Sequence, residues 1–294
     1  MTKIAVAIIH GIGEQKPEFA DKMIALIKER FQQELIHFID EPALELVFKP
    51  ISWSELFAER EKDFFQKIVL DENLYFNDLR RFVIHYLGDA IAYQPVETVK
   101  HNYERVHDKV KHNYERVHDK VKQNLNELSK KAGETAPLCI ISHSLGSVIA
   151  SNYFYDLQFK NNTQDSIIDK LSPLEEGETL TLFYTLGTTL PLWSLRYHDF
   201  NRPINIPSKK LDNFHPGLKG EWINFYDKDD ILGYPLRGVD ESYKDAVTED
   251  KEINIGGLMT SWNPLSHLAY FIDNDVIDSI VESLVRTWKY INIK

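Results

Sequence analysis

The sequence predicts an α/β fold with a mostly parallel sheet flanked by helices, and three observations carry that expectation. Short apolar runs rich in Val, Ile and Leu alternate with amphipathic stretches of helical period, the pattern of repeated strand–helix units. The first run, Lys3 to Ile9, is almost continuously apolar, as a strand covered on both faces must be. Leu138 to Ala150 reads as apolar strand, tight turn and helix in direct succession, with Ser144 at the apex of the turn.

Taken in order, Lys3 to Ile9 runs into His10-Gly11-Ile12-Gly13. A Gly-x-Gly after a first strand could open a dinucleotide site, but the third glycine of that fingerprint would fall on Lys16. Two other readings stand: a plain turn, or a loop whose glycines let backbone N–H groups line a site without a Cβ in the way. Pro17 to Ile39 places Phe19, Met23, Leu26, Ile27, Phe31, Leu35, Phe38 and Ile39 on one helical face. Leu44 to Phe48 is the second strand, closed by Pro50. Trp53 then begins an irregular, aromatic-rich passage. Leu74 to Tyr93 is greasy on more than one face, which suits a helix buried on several sides or a cap whose inner face lines an acyl pocket.

Residues 100–110 and 111–121 are an exact tandem repeat, Lys-His-Asn-Tyr-Glu-Arg-Val-His-Asp-Lys-Val. Eleven residues are about three helical turns, so the second copy prolongs the helix by about 16 Å without rotating it. Tyr103, Val106, Val110, Tyr114, Val117, Val121, Leu125 and Leu128 form one stripe. A helix over 96–131 would be about 54 Å long, which predicts an arm projecting from the body with a stripe that wants a partner, a homodimer among the options. The histidines of the repeat (His101, His107, His112, His118) lack the i, i+4 spacing of a helical metal site and read as a solvated face. Gly133 to Pro137 breaks the helix before the serine turn. Thr179 to Leu186, Trp222 to Tyr226 and Glu252 to Ile255 are the remaining strands, and Asp275 to about Ile291 is a closing amphipathic helix. The expectation is one domain over 1–294, with 53–131 as a helical cap or arm insertion.

The totals narrow the function. A net charge of −11, scattered rather than blocked, argues against nucleic acid and anionic membranes as main partners. The single cysteine, Cys139, lies in an apolar strand; no internal disulfide forms, and packing is its expected role. No stretch approaches the roughly 18 apolar residues of a membrane span, and the six apolar residues from Ile4 to Ile9 are too few for a signal segment. A cytoplasmic location is the expectation.

In Ser142-His143-Ser144-Leu145-Gly146 the serine is flanked two residues away on each side by a small residue, as a turn needs where strand and helix nearly touch. A serine hydroxyl becomes a nucleophile when a base takes its proton and an acid orients that base. Downstream lie the acidic turn Asp227-Lys228-Asp229-Asp230-Ile231-Leu232 and three histidines, His198, His215 and His267. His143 is set aside as base, since neighbouring residues at a strand end point apart.

Together these motifs resemble the α/β-hydrolase superfamily, and most closely its serine esterase/lipase branch. His10-Gly11-Ile12-Gly13 looks like its oxyanion loop, Ser142 to Gly146 like its nucleophile elbow with Ser142 in place of the usual Gly. The Asp230 segment is similar to its Asp-x-Val-Pro acid loop, with Leu232 and Gly233 as departures. The first strand would correspond to the family's third. The resemblance implies the chain order Ser, acid, His, and hence Ser144 as nucleophile and His267 as base. Asp230 is the first choice of acid, Asp229 the second, and Asp227 stays open. The backbone N–H groups of Leu145 and Ile12 would form the oxyanion hole. It implies hydrolysis of a carboxylic ester, a small-molecule or lipid-like one, with no cofactor and no metal. Two alternatives stand beside it: a non-catalytic protein of the same fold that uses the long helix as a partner surface, and an acyltransferase with the same residues.

Overall fold

The computed structural model describes residues 1–12, 18–93, 104–160, 171–196, 200–255 and 266–293. For residues 104–112, Phe82, Tyr86, Ser266 and Leu268 it describes the backbone alone. Six strands form one sheet: β1 (Ile4–Ile9), β2 (Leu46–Ile51), β3 (Leu138–His143), β4 (Leu180–Leu186), β5 (Glu221–Tyr226) and β6 (Glu249–Glu252). Their order is β2-β1-β3-β4-β5-β6, and every pairing is parallel. β1, β3 and β4 are buried along their whole length, which is why their sequences are continuously apolar rather than alternating.

Parallel strands need crossover helices, and these cover both faces. On one face α1 (Asp21–Leu35) packs against the closing helix α7 (Asn274–Asn292). Met23, Ile27 and Phe31 meet Ile277, Leu284 and Trp288 there, over the Ile4, Val6 and Ile8 side of β1. On the other face α4 (Glu104–Ala132) lies against β1 and β2, beside α5 (Leu145–Phe159). The order reverses between β1 and β3: the chain leaves β1 toward β2 on one side and β3 toward β4 on the other. A crevice opens outside the carboxyl ends of strands at such a switch point. The segments that leave β1 and β3 there are His10-Gly11 and Ser144.

Several boundaries depart from expectation. β2 runs through Pro50 to Ile51 instead of stopping before it. β2 is an edge strand, paired only with β1, so a residue without an N–H costs the ladder nothing on its open side. β6 lies at Glu249–Glu252, just before the expected span.

The passage after β2 folds into α2 (Glu55–Phe64), a π-helical turn over Phe65–Leu70, and α3 (Asn77–Ala92). α3 is not buried on several sides. Leu79, Val83, Leu87 and Ile91, four residues apart, stand exposed along it, and Tyr75 and Phe76 before it are 82% and 77% accessible. The repeat helix departs from expectation the other way. Residues 94–103 lie outside the described residues, but from Asn113 onward α4 is inside the body rather than on an arm. Tyr114, Val117, Val121, Leu125 and Leu128 are buried against Ala5, Ala7, Ile9 and the α5 residues Val148 and Ile149. The stripe is covered there by the chain's own sheet, not by a partner. His118 sits in the same packing, its ring 4.0 Å from Tyr114 and its Nε2 3.0 Å from the Tyr93 hydroxyl, rather than on a solvated face. No described helix is long and apolar enough to cross a membrane.

Candidate functional site

Ser144 follows the last residue of β3 and precedes the first of α5, with φ +52° and ψ −126°. A positive φ on a residue with a Cβ costs about 1–3 kcal/mol and persists only where surrounding structure enforces it. The enforcement is visible. The Ser144 N–H donates to the Leu186 carbonyl of β4 at 3.0 Å. A Cβ on Gly146 would run into the His10 carbonyl, so the first turn of α5 presses directly on the end of β1. A Cβ on Gly11 would lie 2.7 Å from Ser144 Cβ and 2.9 Å from His143 Nδ1. Ser142 serves as the small residue at its position and still satisfies its hydroxyl, which donates to the Tyr184 carbonyl at 3.1 Å.

His10 holds the neighbouring loop. Its Nδ1–H donates to the Gly11 carbonyl (2.7 Å), and its Nε2 accepts from the Trp53 backbone N–H (3.2 Å). A carbonyl only accepts and an amide N–H only donates, so the neutral tautomer is fixed. The Trp53 indole stacks on the imidazole at 5.2 Å and donates to the His10 carbonyl at 2.9 Å. Burial pushes His10 down to about 4, against the pull of its bond to Gly11. Ile12 follows, packed against the core; Gly13 lies outside the described residues. Leu145 opens α5, whose first backbone N–H groups have no intrahelical acceptor.

On the other side of Ser144, His267 and Asp230 meet. His267 Nδ1 lies 2.7 Å from Asp230 Oδ2, and both side chains are almost wholly buried. The Tyr270 hydroxyl donates to the same oxygen at 3.0 Å, and the Leu232 N–H donates to Oδ1 at 3.0 Å. Burial alone would raise the Asp230 carboxyl; these hydrogen bonds, with that from His267 the strongest, outweigh it and hold the group below the usual carboxylate range. An ionised Asp230 fixes the proton of a neutral His267 on Nδ1 and leaves Nε2 as a bare acceptor. Neither His267 Nε2 nor Ser144 Oγ has a hydrogen-bond partner among the described residues, although both are buried. A bare imidazole nitrogen, backed by a carboxylate through the other nitrogen, can take up a proton.

Gly187 brings the two sides together. It follows β4, with φ +50°, and a Cβ there would lie 2.7 Å from the Tyr270 ring, 2.9 Å from Asp230 Oδ2 and 3.0 Å from His267 Cε1. β4 is paired with β3, and Leu186 holds the Ser144 N–H, so the glycine that touches the acid–imidazole pair is one residue beyond the residue that holds the serine.

Of the three acids in the turn after β5, Asp230 makes the contact with His267. Asp229 does not: its N–H caps Asp227 Oδ1 at 2.8 Å. Asp227 braces the loop, its Oδ2 accepting from the Ile255 N–H at 2.7 Å. His215 is half-buried, bonded to the Thr135 carbonyl, and His198 lies outside the described residues. Two residues of the site, Tyr270 and Gly187, carry no sequence motif, and a third, His143, lies within the serine motif without a role read from it. His143 is buried with its ring 4.5 Å from that of His267. A hollow of about 410 Å³ opens beside α6 (Leu190–Ser194), lined by Leu192, Trp193, Leu195 and Arg196. Among the described residues no three His, Cys, Asp or Glu side chains are placed to hold a metal ion.

Comparison of the chain with protein-family models, with curated proteins and with solved structures found no match.

Proposed function

We propose that this protein is a serine hydrolase of the α/β-hydrolase type that cleaves a carboxylic ester through an acyl-enzyme on Ser144. One observation carries the reading: a serine in a strained turn at the sheet's switch point, its buried hydroxyl bare, and, 4.5 Å from the ring of its neighbour His143, an imidazole whose free nitrogen is also bare and whose other nitrogen is held by Asp230. In this scheme His267 Nε2 takes the Ser144 proton as Oγ attacks the ester carbonyl. The tetrahedral oxyanion accepts hydrogen bonds from backbone N–H groups, that of Leu145 at the positive end of α5 and that of Ile12. Collapse expels the alcohol, which takes the proton from His267. Water then adds to the acyl-enzyme by the same route and releases the acid. Asp230 keeps the ring in the required tautomer and stabilises the imidazolium.

The sheet order, the close approach of Gly11 to Ser144 and that of Gly146 to the end of β1 support the reading. The alternative of a binder working through the long helix has less surface to use, because the α4 stripe from Tyr114 to Leu128 is buried in the chain's own core.

A fluorophosphonate probe should label the wild-type protein at Ser144, and short- and medium-chain esters should be hydrolysed. Ser144→Ala should abolish labelling and lower kcat by about 10⁴-fold or more, the scale at which loss of a nucleophile acts. Undiminished hydrolysis by a folded Ser144→Ala protein would overturn the assignment.

A further inference from the structure

The hydrogen bonds that seat His267 come from two directions. Asp230 holds the ring through Nδ1. The backbone is held by His143: its Nε2 lies 2.6 Å from the His267 carbonyl oxygen. A carbonyl can only accept, so His143 carries its proton on Nε2 and donates. The other face of the same imidazole is against the loop after β1, where a Cβ on Gly11 would stand 2.9 Å from Nδ1. Its ring lies 5.2 Å from Phe271 and 6.0 Å from Tyr270. His143 is also the residue joined by a peptide bond to Ser144. One buried side chain thus spans the serine turn, the His10-Gly11 loop and the segment that carries His267.

We propose that His143 is a positioning residue: its Nε2–H clamps the His267 backbone so that the His267 ring is held against Ser144. This deepens the hydrolase reading and rests on it. Burial and the neighbouring His267 keep His143 well below the usual imidazole range, so it stays neutral and keeps Nε2–H as its donor. A histidine is suited to the place because a ring wedged in a three-way contact presents its N–H at a fixed reach, which a flexible donor does only in part.

The test uses the full-length protein with three variants. His143→Leu removes the donor and keeps bulk. His143→Gln puts an amide N–H near the position of Nε2, and His143→Asn puts one near Nδ1 only. Two readouts are taken: kcat and KM on an ester the wild type hydrolyses, and the downfield NMR proton of His267 Nδ1–H bonded to Asp230. His143→Leu is expected to lose about 10²-fold in kcat, the scale of a small misplacement of a catalytic group, with KM changed less than about threefold, and to lose or broaden the downfield proton. His143→Gln is expected to regain about tenfold of that kcat and the downfield signal, while His143→Asn is not. If His143→Leu does not fold, the contrast between Gln and Asn decides. A folded His143→Leu with wild-type kcat and signal, or Gln no better than Asn, overturns the clamp. If the wild type neither labels nor hydrolyses, the hydrolase reading fails, and the NMR comparison still tells whether His143 seats His267.

Discussion

At the scale of single residues the site is built from close approaches as much as from chemical groups. Gly187 illustrates this. Its positive φ and the lack of room for a Cβ between Tyr270, Asp230 and His267 are separate constraints on one position. Gly187→Ala should therefore cost about 1–3 kcal/mol from backbone strain alone, before any displacement of the acid–imidazole pair. The checks are chemical denaturation and the rate of fluorophosphonate labelling. Labelling is expected to fall at least tenfold even at temperatures where the variant is fully folded, because the added methyl pushes directly on Asp230 Oδ2 and His267 Cε1. Labelling at the wild-type rate would show that the pair tolerates displacement and that its geometry is not what sets reactivity. Neither Gly187 nor Tyr270 carries a sequence signal, since what they touch is fixed by strand pairing and by a helical turn far along the chain. Ser144, His267 and the acidic turn were legible because each sits in a local pattern. That Asp230 rather than Asp229 meets His267 is set by contacts distant in sequence, His267 and Tyr270 on one carboxylate oxygen, which the acidic turn itself does not reveal. His143 is set aside only as a base; the contact of its ring with the His267 carbonyl joins residues 124 positions apart and has no local signature.

At the scale of elements, the strands were legible because a parallel sheet covered on both faces needs unbroken apolar runs, and β1, β3 and β4 have them. What α4 packs against was not, because period fixes which face of a helix is apolar and says nothing of what covers it. The exact repeat turns this into a sharp experiment. Deleting residues 111–121 seats Tyr103, Val106, His107 and Val110 where Tyr114, Val117, His118 and Val121 were, so every buried side chain is replaced by its own type. Shortening a connection by eleven residues is a small entropic change, and the variant should unfold within about 5 °C of the parent Tm. Deleting residues 111–119 instead rotates the upstream helix by about half a turn. It seats Arg105 and Asp108 at the buried places of Tyr114 and Val117. Burying unpaired charge is among the few changes that cost several kcal/mol, so this shorter deletion should fail to fold cooperatively. Equal stability of the two deletions would mean that the stripe does not hold α4 to the sheet.

At the scale of the whole molecule, three neutral histidines buried around one sheet make the fold sensitive to acid. Burial holds His10 at about 4; burial together with the nearby charge of Lys160 holds His118 at about 3; His143 is lowered in the same sense. An unfolded chain binds these protons near 6.5. Below that pH the unfolded state takes up protons that the folded state refuses, so stability falls as pH drops and the loss levels off only once the folded-state values are passed. Between pH 7.5 and pH 5 this amounts to about 2 kcal/mol for each of His10 and His118. Asp230 adds a later loss. Its lowered carboxyl stabilises the fold above the unfolded value of about 4 and ceases to do so as pH falls through the folded one. Relief of the net charge of −11 acts in the opposite direction, but at 0.15 M salt surface charges are screened over about 8 Å, which makes it the smaller effect. Urea denaturation of the wild type should accordingly show a drop of about 4 kcal/mol or more from pH 7.5 to pH 5. In His118→Gln, which keeps an amide where Tyr93 and Asp156 expect a polar partner, the drop should shrink by about 2 kcal/mol, whatever the variant's stability at pH 7.5. A wild-type stability that stays level across that range would show that these imidazoles are protonated inside the fold, and with it that the ring of His10 does not keep the bare nitrogen that receives the Trp53 N–H.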